Sequence, residues 1–231
     1  GTIENPIVFQ GDRLEPYFEE LPGQWDRIWV NEGDQDQVFE NVVIKNNFIG
    51  IQVETDPLGS EPVPGVSSKF LKLKNVTIRN NSVAGIFSRN YKIDAENVSL
   101  SSGGQYLFAG TGAGEYLFKQ TTFANNWSSA IRQTPSVYIT NVTSFQGTPI
   151  VMDINNSEFK NCIIYGNGFN ELGLDFDDQL PVDLKFKYCL IQGEEDVMTP
   201  YIDEGYIDNN TPNWVGQNPG FVDFSNGIIR I

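Results

Sequence analysis

The sequence predicts a right-handed parallel β-helix, a solenoid of stacked coils with three short strands in each coil. Two observations predict this fold. A motif of asparagine, alternating apolar and polar residues, and a closing asparagine or glycine recurs about every 22 residues. No long segment shows the periodicity of an amphipathic helix, and the glycine, asparagine, β-branched and aromatic residues fit short strands joined by frequent turns.

The motif has seven copies, and their spacing identifies the type of solenoid. The intervals between successive copies are 34, 22, 23, 21, 20 and 27 residues. Leucine-rich repeats have a similar length, but the Leu-x-x-Leu-x-Leu consensus is absent, so a β-helix fits better. The copies start at Asn41, Asn75, Asn97, Gln120, Asn141, Asn161 and Tyr188.

Alternation within each copy predicts which side chains point inward. In the second full coil, Leu71, Leu73, Val76 and Ile78 share one side of the strands, and the polar residues between them share the other. Equivalent residues of neighbouring coils then stack about 4.8 Å apart. The outer side agrees with this register, because it stacks residues of opposite charge: Lys72 with Asp94, and Lys74, Glu96 and Lys119 in turn.

The asparagine that opens each copy lies at a sharp bend between two strands. Asparagine tolerates the left-handed backbone region better than most residues, and its amide can bond to the coils above and below. We therefore predict a ladder of asparagines at one corner of the coil, with Gln120 and Tyr188 as exceptions. Its members are Asn41, Asn75, Asn97, Asn141 and Asn161.

The chain is predicted to form one domain. The β-helix covers residues 1–194 in roughly seven or eight coils, with loop insertions near 55–68 and 175–181 where the repeat interval lengthens. Residues 195–231 contain several prolines and are predicted to form an irregular segment that covers the open end of the stack.

Composition excludes several classes of function. The net charge of −15 argues against nucleic acid and against anionic membrane surfaces. The absence of histidine removes histidine-based catalysis and histidine-ligated zinc. No apolar run is long enough for a transmembrane helix. Cys162 and Cys189 occupy equivalent inward positions on adjacent coils and are predicted to be buried free thiols.

The two ends of the chain resemble a known group of proteins. Asn5-Pro-Ile-Val-Phe-Gln-Gly-Asp-Arg13 and Pro22-Gly-Gln-Trp-Asp-Arg-Ile-Trp29 are similar to the opening of secreted or lipid-anchored bacterial proteins of the right-handed β-helix repeat family. Asn218-Pro-Gly-Phe-Val-Asp223 and Asn226-Gly-Ile-Ile-Arg-Ile231 resemble their closing segment. The resemblance implies a secreted or cell-envelope location, with lipid anchoring through a segment before Gly1.

This fold is shared with pectate lyases, polygalacturonases and phage tailspikes, so the resemblance implies a carbohydrate ligand by analogy. The chain departs from the enzymes of that group. It lacks the Trp-x-Asp-His and Arg-x-Pro-x-x-Arg segments of pectate lyases. Polygalacturonases pair two aspartates with a histidine, and here Asp177 and Asp178 have no histidine to join them.

Alignment of the third strands predicts an acidic cluster. Placing Ile51, Ile86, Leu107, Ala130, Ile150 and Leu172 inward creates an outward column of Glu54, Arg89, Gly110, Gln133, Asp153 and Asp175. Asp153 and Asp175 would then be neighbours, with Asp177 and Asp178 close by. Such a cluster would bind Ca²⁺ or would supply the carboxylate pair of a glycosidase.

The column beside it predicts a ligand-binding row of Gln52, Phe87, Phe108, Ile131 and Val151. Exposed aromatic rings in a row can stack on sugars or contact a partner. Glu54, Arg89 and Arg132 are further ligand-binding candidates, and the base of a lyase could be either of these arginines or a lysine. The four tryptophans, Trp25, Trp29, Trp127 and Trp214, are candidate sugar platforms.

We interpret the chain as a non-catalytic secreted or cell-envelope protein that contacts a polysaccharide or a cell-surface protein through its long face. Two alternatives stay open. The first is a polysaccharide lyase or glycoside hydrolase that uses Asp153, Asp175, Asp177 and Asp178. The second is a structural spacer without a ligand.

Overall fold

The computed structural model describes residues 1–55 and 65–224. Seventeen strands, one α-helix and a short 3-10 turn (Pro16–Phe18) make up this part of the chain. The elements are β1 (Ile7–Phe9), β2 (Trp25–Asn31), β3 (Gln37–Lys45), β4 (Asn47–Glu54), β5 (Phe70–Asn81), β6 (Ala84–Gly103), β7 (Tyr106–Lys119), β8 (Thr122–Asn125), β9 (Val137–Thr140), β10 (Val142–Phe145), β11 (Thr148–Val151), β12 (Ile154–Lys160), β13 (Ile163–Gly166), β14 (Leu172–Asp175), β15 (Val182–Lys187), β16 (Leu190–Ile191), α1 (Glu195–Asp203) and β17 (Trp214–Val215).

The strands stack into one parallel β-helix, as the sequence predicted. Fifteen strands form a continuous sheet in which every neighbouring pair is parallel, and the outlying β10–β11 hairpin is antiparallel. Longer strands bend at the corners of the coil and therefore contribute to two faces. The first face contains residues 37–40, 71–74, 93–96, 116–119, 157–160 and 184–187; the second, residues 42–45, 76–79, 98–101, 122–125, 163–166 and 190–191; the third, residues 25–31, 49–54, 84–89, 106–111, 137–140 and 172–175.

The core runs along the axis of the coils and is built from the predicted inward residues. Leu71, Leu73, Val76 and Ile78 are all buried. Equivalent inward positions stack in columns, and in one column of the first face the rings of Phe118, Phe159 and Phe186 lie face to face. Their centroids are 4.8 and 4.7 Å apart. The predicted charge register of Lys72 with Asp94 and of Lys74, Glu96 and Lys119 is also confirmed.

The asparagine corner lies between the first and second faces. Asn41, Asn75 and Asn97 have φ values of 54, 53 and 54°, so each occupies the left-handed region that bends the chain sharply. Their side-chain amides form the predicted ladder, from Asn75 Nδ2 to Asn41 Oδ1 at 2.9 Å and from Asn97 Nδ2 to Asn75 Oδ1 at 2.8 Å. Gln120, Asn161 and Tyr188 bend the chain at the same corner with positive φ, but the Asn161 amide, which was predicted to join the ladder, makes no hydrogen bond among the described residues.

Asn141 was placed in this ladder incorrectly. It follows β9 on the third face, and its amide bonds to both backbone groups of Asp177, each at 2.8 Å. The coil that should have placed it at the corner is longer than the repeat. It includes a loop over residues 126–136 and the β10–β11 hairpin, so one copy of the motif is out of phase with the others.

A second corner, between the second and third faces, carries a ladder that is wholly buried. Asn47, Asn81 and Asn125 point inward there, and Asn81 Nδ2 donates to Asn47 Oδ1 at 2.7 Å. Asn125 Nδ2 donates to the Gly103 carbonyl at 3.0 Å, and Asn125 Oδ1 accepts from the Gly103 N–H at 3.1 Å. These bonds satisfy both polar atoms of the Asn125 amide, whereas Asn47 Nδ2 and Asn81 Oδ1 are buried without a hydrogen-bond partner among the described residues.

The segment from residue 195 is not irregular throughout. Its first nine residues form α1, whose Met198 is fully buried against the last coil. Ile207 bridges to Phe186, and β17 adds a strand beside β16. The acidic residues Glu195 and Asp196 in the first turn favour a helix here. The predicted insertion near 55–68 lies mostly outside the described residues, and residues 176–181 link β14 to β15.

The two cysteine thiols provide a direct test of the core register. Cys162 and Cys189 are free and buried on adjacent coils, and burial raises the pKa of the Cys162 thiol well above its usual value. We expect a thiol-specific reagent to modify neither cysteine in the native protein and both after unfolding without reductant. A disulfide, detected as thiols that appear only after reduction, would contradict this assignment.

Candidate functional site

The outer side of the third face carries a row in which aromatic and smaller residues alternate. Strand pairing aligns Trp29 with Gln52, Gln52 with Phe87, Phe87 with Ala109, Ala109 with Tyr138, and Tyr138 with Gly173. We call these six residues the third-face row. Its three aromatic residues, Trp29, Phe87 and Tyr138, therefore lie on every second coil, at intervals of roughly 10 Å.

Small residues leave space beside the rings. Trp29 is 54% exposed, and Phe87 and Tyr138 are half-buried. A β-carbon at Gly173 would lie 3.3 Å from Tyr138 Cδ2 and 2.8 Å from Pro135 Cγ, so glycine is what allows the Tyr138 ring and Pro135 to approach this coil. The Tyr106 ring lies 5.7 Å from that of Tyr138 and widens the aromatic surface.

A buried carboxylate fixes the Trp29 end of the row. Glu54 is 1% exposed, and its Oε1 accepts from Trp29 Nε1 at 2.6 Å and from Gln52 Nε2 at 2.8 Å. Its Oε2 forms an ion pair with Arg89. Gln52 Oε1 in turn accepts from Arg27. The predicted candidates Glu54 and Arg89 are thus brought together, and Glu54 orients the indole rather than facing a ligand.

Tyr138 presents a neutral phenol at the other end. Its OH donates to Asp175 Oδ2 at 2.9 Å. Burial is the main cause that raises the pKa of Tyr138, to about 12. The hydrogen bond to Asp175, the charge of Asp175 and the proximity of Tyr106 raise it further, in that order. The phenol therefore stays protonated at neutral pH and keeps Asp175 as its acceptor.

The loop over residues 126–136 borders the row and is held by a buried ion pair. The Arg132 side chain is 3% exposed and pairs with the fully buried Glu171. Glu171 also accepts from the Gly168 N–H at 2.7 Å and from both the N–H (2.9 Å) and the hydroxyl of Ser136. Arg132 was a candidate for ligand binding, but the structure uses it to anchor this loop.

The predicted alignment of the third strands is wrong beyond the second coil. Phe108, not Leu107, is the partner of Ile86, so Phe108 points into the core and is fully buried. In the next coil the third strand is β9, so Gln133 and Ile131 belong to the bordering loop. Ile150, Val151 and Asp153 belong to the hairpin and its exit. A one-residue change in register moves a side chain to the opposite side of a sheet.

The predicted acidic cluster does not form. The strand neighbour of Asp175 is Thr140 rather than Asp153. Asp153 accepts a hydrogen bond from Asn155, and Asp177 Oδ1 accepts from the Gln179 N–H at 3.0 Å. Across residues 1–55 and 65–224, which include Asp178, no three acidic or cysteine side chains converge where they could hold a metal ion.

The hairpin and the segment that follows β14 form an open groove beside this end of the face. The groove measures about 530 Å³, and mainly apolar side chains line it. Its lining residues are Val142, Pro149, Ile150, Val151, Asp177, Gln179 and Leu180.

The tryptophans divide between structural and exposed positions. Trp25 packs against the core, and its Nε1 donates to the Lys45 carbonyl at 2.9 Å. The half-buried Trp127 contacts the corner at Gly104. Trp214 is exposed on β17, at the end of the second face. Trp29 is the tryptophan that joins the third-face row.

Tyr138 and Tyr106 were missed by sequence reasoning. Tyr138 lies in Val137-Tyr-Ile-Thr140, which alternates like the other third strands and precedes Asn141 directly. That alternation was the available signal. It was overlooked because the repeat interval placed the third strand of this coil at Ala130.

Comparison with known proteins supports the architecture. The family model described as a right handed beta helix region matches residues 63–211, more than half of the chain. Searches of the curated proteins and of the solved structures found no significant match. In the described part of the chain, none of the helical segments has the length and apolar character needed to cross a bilayer. The chain belongs to the right handed beta helix family.

Proposed function

We propose that this protein binds an extended, neutral glycan along the outer side of its third face and does not cleave it. The third-face row is the observation that carries the proposal. Trp29, Phe87 and Tyr138 repeat on every second coil, roughly 10 Å apart. This interval is about the length of a disaccharide, so a straight glycan could place alternate sugar rings against successive aromatic rings.

The charge of the molecule favours a neutral ligand at this face. The chain carries a net charge of −15, and Asp175 lies exposed at one end of the face. A polyanion approaching this end would be repelled. Hydroxyl groups of a neutral sugar can instead bond with Asp175, Thr111 and Arg89, which flank the aromatic residues.

The position of the carboxylates supports binding rather than hydrolysis. Glu54 and Asp175 share one outward column but lie four coils apart, roughly 19 Å. Glycosidases hold their two carboxylates about 5–9.5 Å apart. Arg89 and Arg132, the two arginines considered as bases of a lyase, are both engaged in ion pairs.

A secreted or cell-envelope location forms part of the proposal. It is supported by the resemblance of the terminal segments to secreted and lipid-anchored proteins, and by the choice of ligand, since structural glycans lie outside the cytoplasm. Immunodetection in fractions of the native host would test it. Recovery of the protein in the cytoplasmic fraction alone would contradict this part.

Glycan binding would be tested by calorimetry with neutral β-linked oligosaccharides of increasing length. We expect affinity to rise until the ligand spans the row, and Phe87→Ala to weaken binding about tenfold because it removes a stacking surface without removing a polar contact. Phe169→Ala is the matched control, because Phe169 is 82% exposed and lies off the row.

Two results would contradict the proposal. If Phe87→Ala and Phe169→Ala bind equally well, the third-face row is not the site. If incubation with the glycan releases new reducing ends or unsaturated products, the protein is an enzyme. Absence of binding to every neutral glycan would favour the structural spacer.

A further inference from the structure

The outer side of the first face changes character along the molecule. One outward column reads Glu40, Lys74, Glu96, Lys119, Lys160 and Lys187. Charges alternate in sign from Glu40 to Lys119, and the charge then stays positive from Lys119 through Lys160 to Lys187. Like charges directly opposite on neighbouring strands are unfavourable, so this run of lysines is an exception in a chain with a net charge of −15.

The lysines are only partly compensated by other groups. Lys187 Nζ pairs with Glu158 at 2.7 Å. Nearby, Lys185 Nζ donates to the Gly205 carbonyl at 2.7 Å. Among the residues that the structure describes, the amines of Lys119 and Lys160 have neither an ion-pair nor a hydrogen-bond partner.

The residue that follows each member of this column shows the same change. In the first coils, side-chain amides bond to one another along this corner, from Asn75 to Asn41 and from Asn97 to Asn75. At the same corner of the later coils stand Gln120 and Asn161, whose side-chain amides have no hydrogen-bond partner within the described residues. Tyr188 follows and is 42% exposed. Free amines and free amide donors therefore lie side by side on adjacent coils.

We propose that this lysine ladder, formed by the pairs Lys119-Gln120, Lys160-Asn161 and Lys187-Tyr188, binds a linear polyanion that carries phosphate or sulfate groups. Coils about 4.8 Å apart present a repeating row of cationic and amide donors, which matches a polymer with repeating oxyanions. The ladder contains lysine and no arginine. Ammonium groups act as compact point charges suited to tetrahedral oxyanions, whereas arginine favours planar, bidentate pairing with carboxylates.

This site is separate from the proposed glycan site. The lysine ladder lies on the first face and its corner with the second, whereas the third-face row lies on the third face. The two ligands also differ in charge. Failure of one proposal therefore leaves the other intact.

The experiment uses the full chain with inorganic polyphosphate, dextran sulfate and uncharged dextran at low and moderate salt. We expect one or both anionic polymers to bind and uncharged dextran not to bind at the ladder, with affinity falling as salt increases. The two anionic polymers distinguish phosphate from sulfate as the preferred group. Lys160→Gln should weaken binding about tenfold and reduce the slope of log affinity against log salt by about one.

Lys74→Gln is the matched control. It removes the same charge from the same column, but at a position between Glu40 and Glu96. We expect it to leave polyanion affinity within about twofold of the unmodified protein, because its site is already charge-compensated. Thermal unfolding should show that Lys160→Gln is as stable as the unmodified protein or slightly more so, because the variant removes a like-charge contact.

Three results would overturn the proposal. The unmodified protein could bind neither anionic polymer at low salt. Lys160→Gln and Lys74→Gln could weaken binding equally, which would indicate a response to net charge alone. Binding could also be insensitive to salt, which is incompatible with a site made of lysine amines.

Discussion

Replacing Phe159 with alanine is expected to lower the free energy of unfolding by about 3–5 kcal/mol. Phe159 is fully buried, and its ring stacks between those of Phe118 and Phe186 at 4.8 and 4.7 Å. Its ring centroid also lies 6.2 Å from that of Phe108 and 6.1 Å from that of Phe123. Because coils above and below hold these neighbours in place, they cannot move far enough to fill the cavity left by the ring.

Urea unfolding followed by circular dichroism would measure the effect, with Phe169→Ala as the control. Phe169 is exposed, so its truncation should change stability by less than about 0.5 kcal/mol. Since each coil of a solenoid contacts its neighbours alone, amide exchange in Phe159→Ala should accelerate first in β7, β12 and β15. A loss below about 1 kcal/mol would mean that the phenylalanine column is not packed in this register.

The architecture could be predicted because the chain repeats two strict local rules. Residues such as Leu71, Leu73, Val76 and Ile78 alternate with polar residues, which fixes the inner and outer sides of a strand. Asn41, Asn75 and Asn97 mark one corner because few residues tolerate a positive φ there. Together these rules set the register of the first and second faces, and the charge pairs across Lys72 and Asp94 follow from it.

The third face could not be predicted in the same way, because nothing in the repeat fixes the length of the loops around it. Residues 126–136 and the β10–β11 hairpin lengthen one coil at two places, while the interval between neighbouring motif starts stays near 20. Asp153 was therefore assigned to the strand position beside β14, which β9 occupies in the structure. Phe108 shows a second difficulty. The predicted alignment of β7 was off by one residue, and for that reason Phe108 was predicted as a ligand contact although it is a core residue.

The third-face row was predicted in part for the same reason. Phe87 lies in a coil of regular length, and both Phe87 and Trp29 were predicted candidates for ligand contact. Tyr138 follows the loop over residues 126–136, so its alignment with Ala109 could not be predicted before the strand pairing was known. The buried roles of Glu54 and Arg132 depend on partners distant in the sequence, Arg89 and Glu171, which local patterns do not reveal.

Replacing Glu171 with glutamine is the second large effect that we expect, a loss of about 3–5 kcal/mol in stability. The change keeps the size of the side chain but leaves the buried Arg132 guanidinium without its counter-charge. It also replaces one acceptor oxygen by a donor amide, so the Glu171 bonds from the Gly168 and Ser136 N–H groups cannot both persist. Thermal and urea unfolding would measure the loss.

Glu158→Gln is the matched control, because it breaks an ion pair of similar length at the surface. Glu158 pairs with Lys187 at 2.7 Å, and both side chains are about 30% exposed. We expect its loss to cost less than about 1 kcal/mol, since water and salt already screen the pair. Equal effects of Glu171→Gln and Glu158→Gln would contradict a buried anchor at Arg132.

Glu171→Gln, compared with a double variant that removes both charges, distinguishes the anchoring of the loop from the effect of charge. If Glu171 acts by holding the loop over residues 126–136, Glu171→Gln should also weaken glycan binding, because Pro135 of that loop and the Tyr138 ring both pack against Gly173. The double variant Arg132→Met with Glu171→Leu removes both charges and should recover much of the stability. It would not restore the bonds to Ser136 and Gly168, so glycan affinity should stay reduced. Recovery of affinity together with stability would show that the loop is positioned by packing, and that the hydrogen bonds of Glu171 are dispensable for the row.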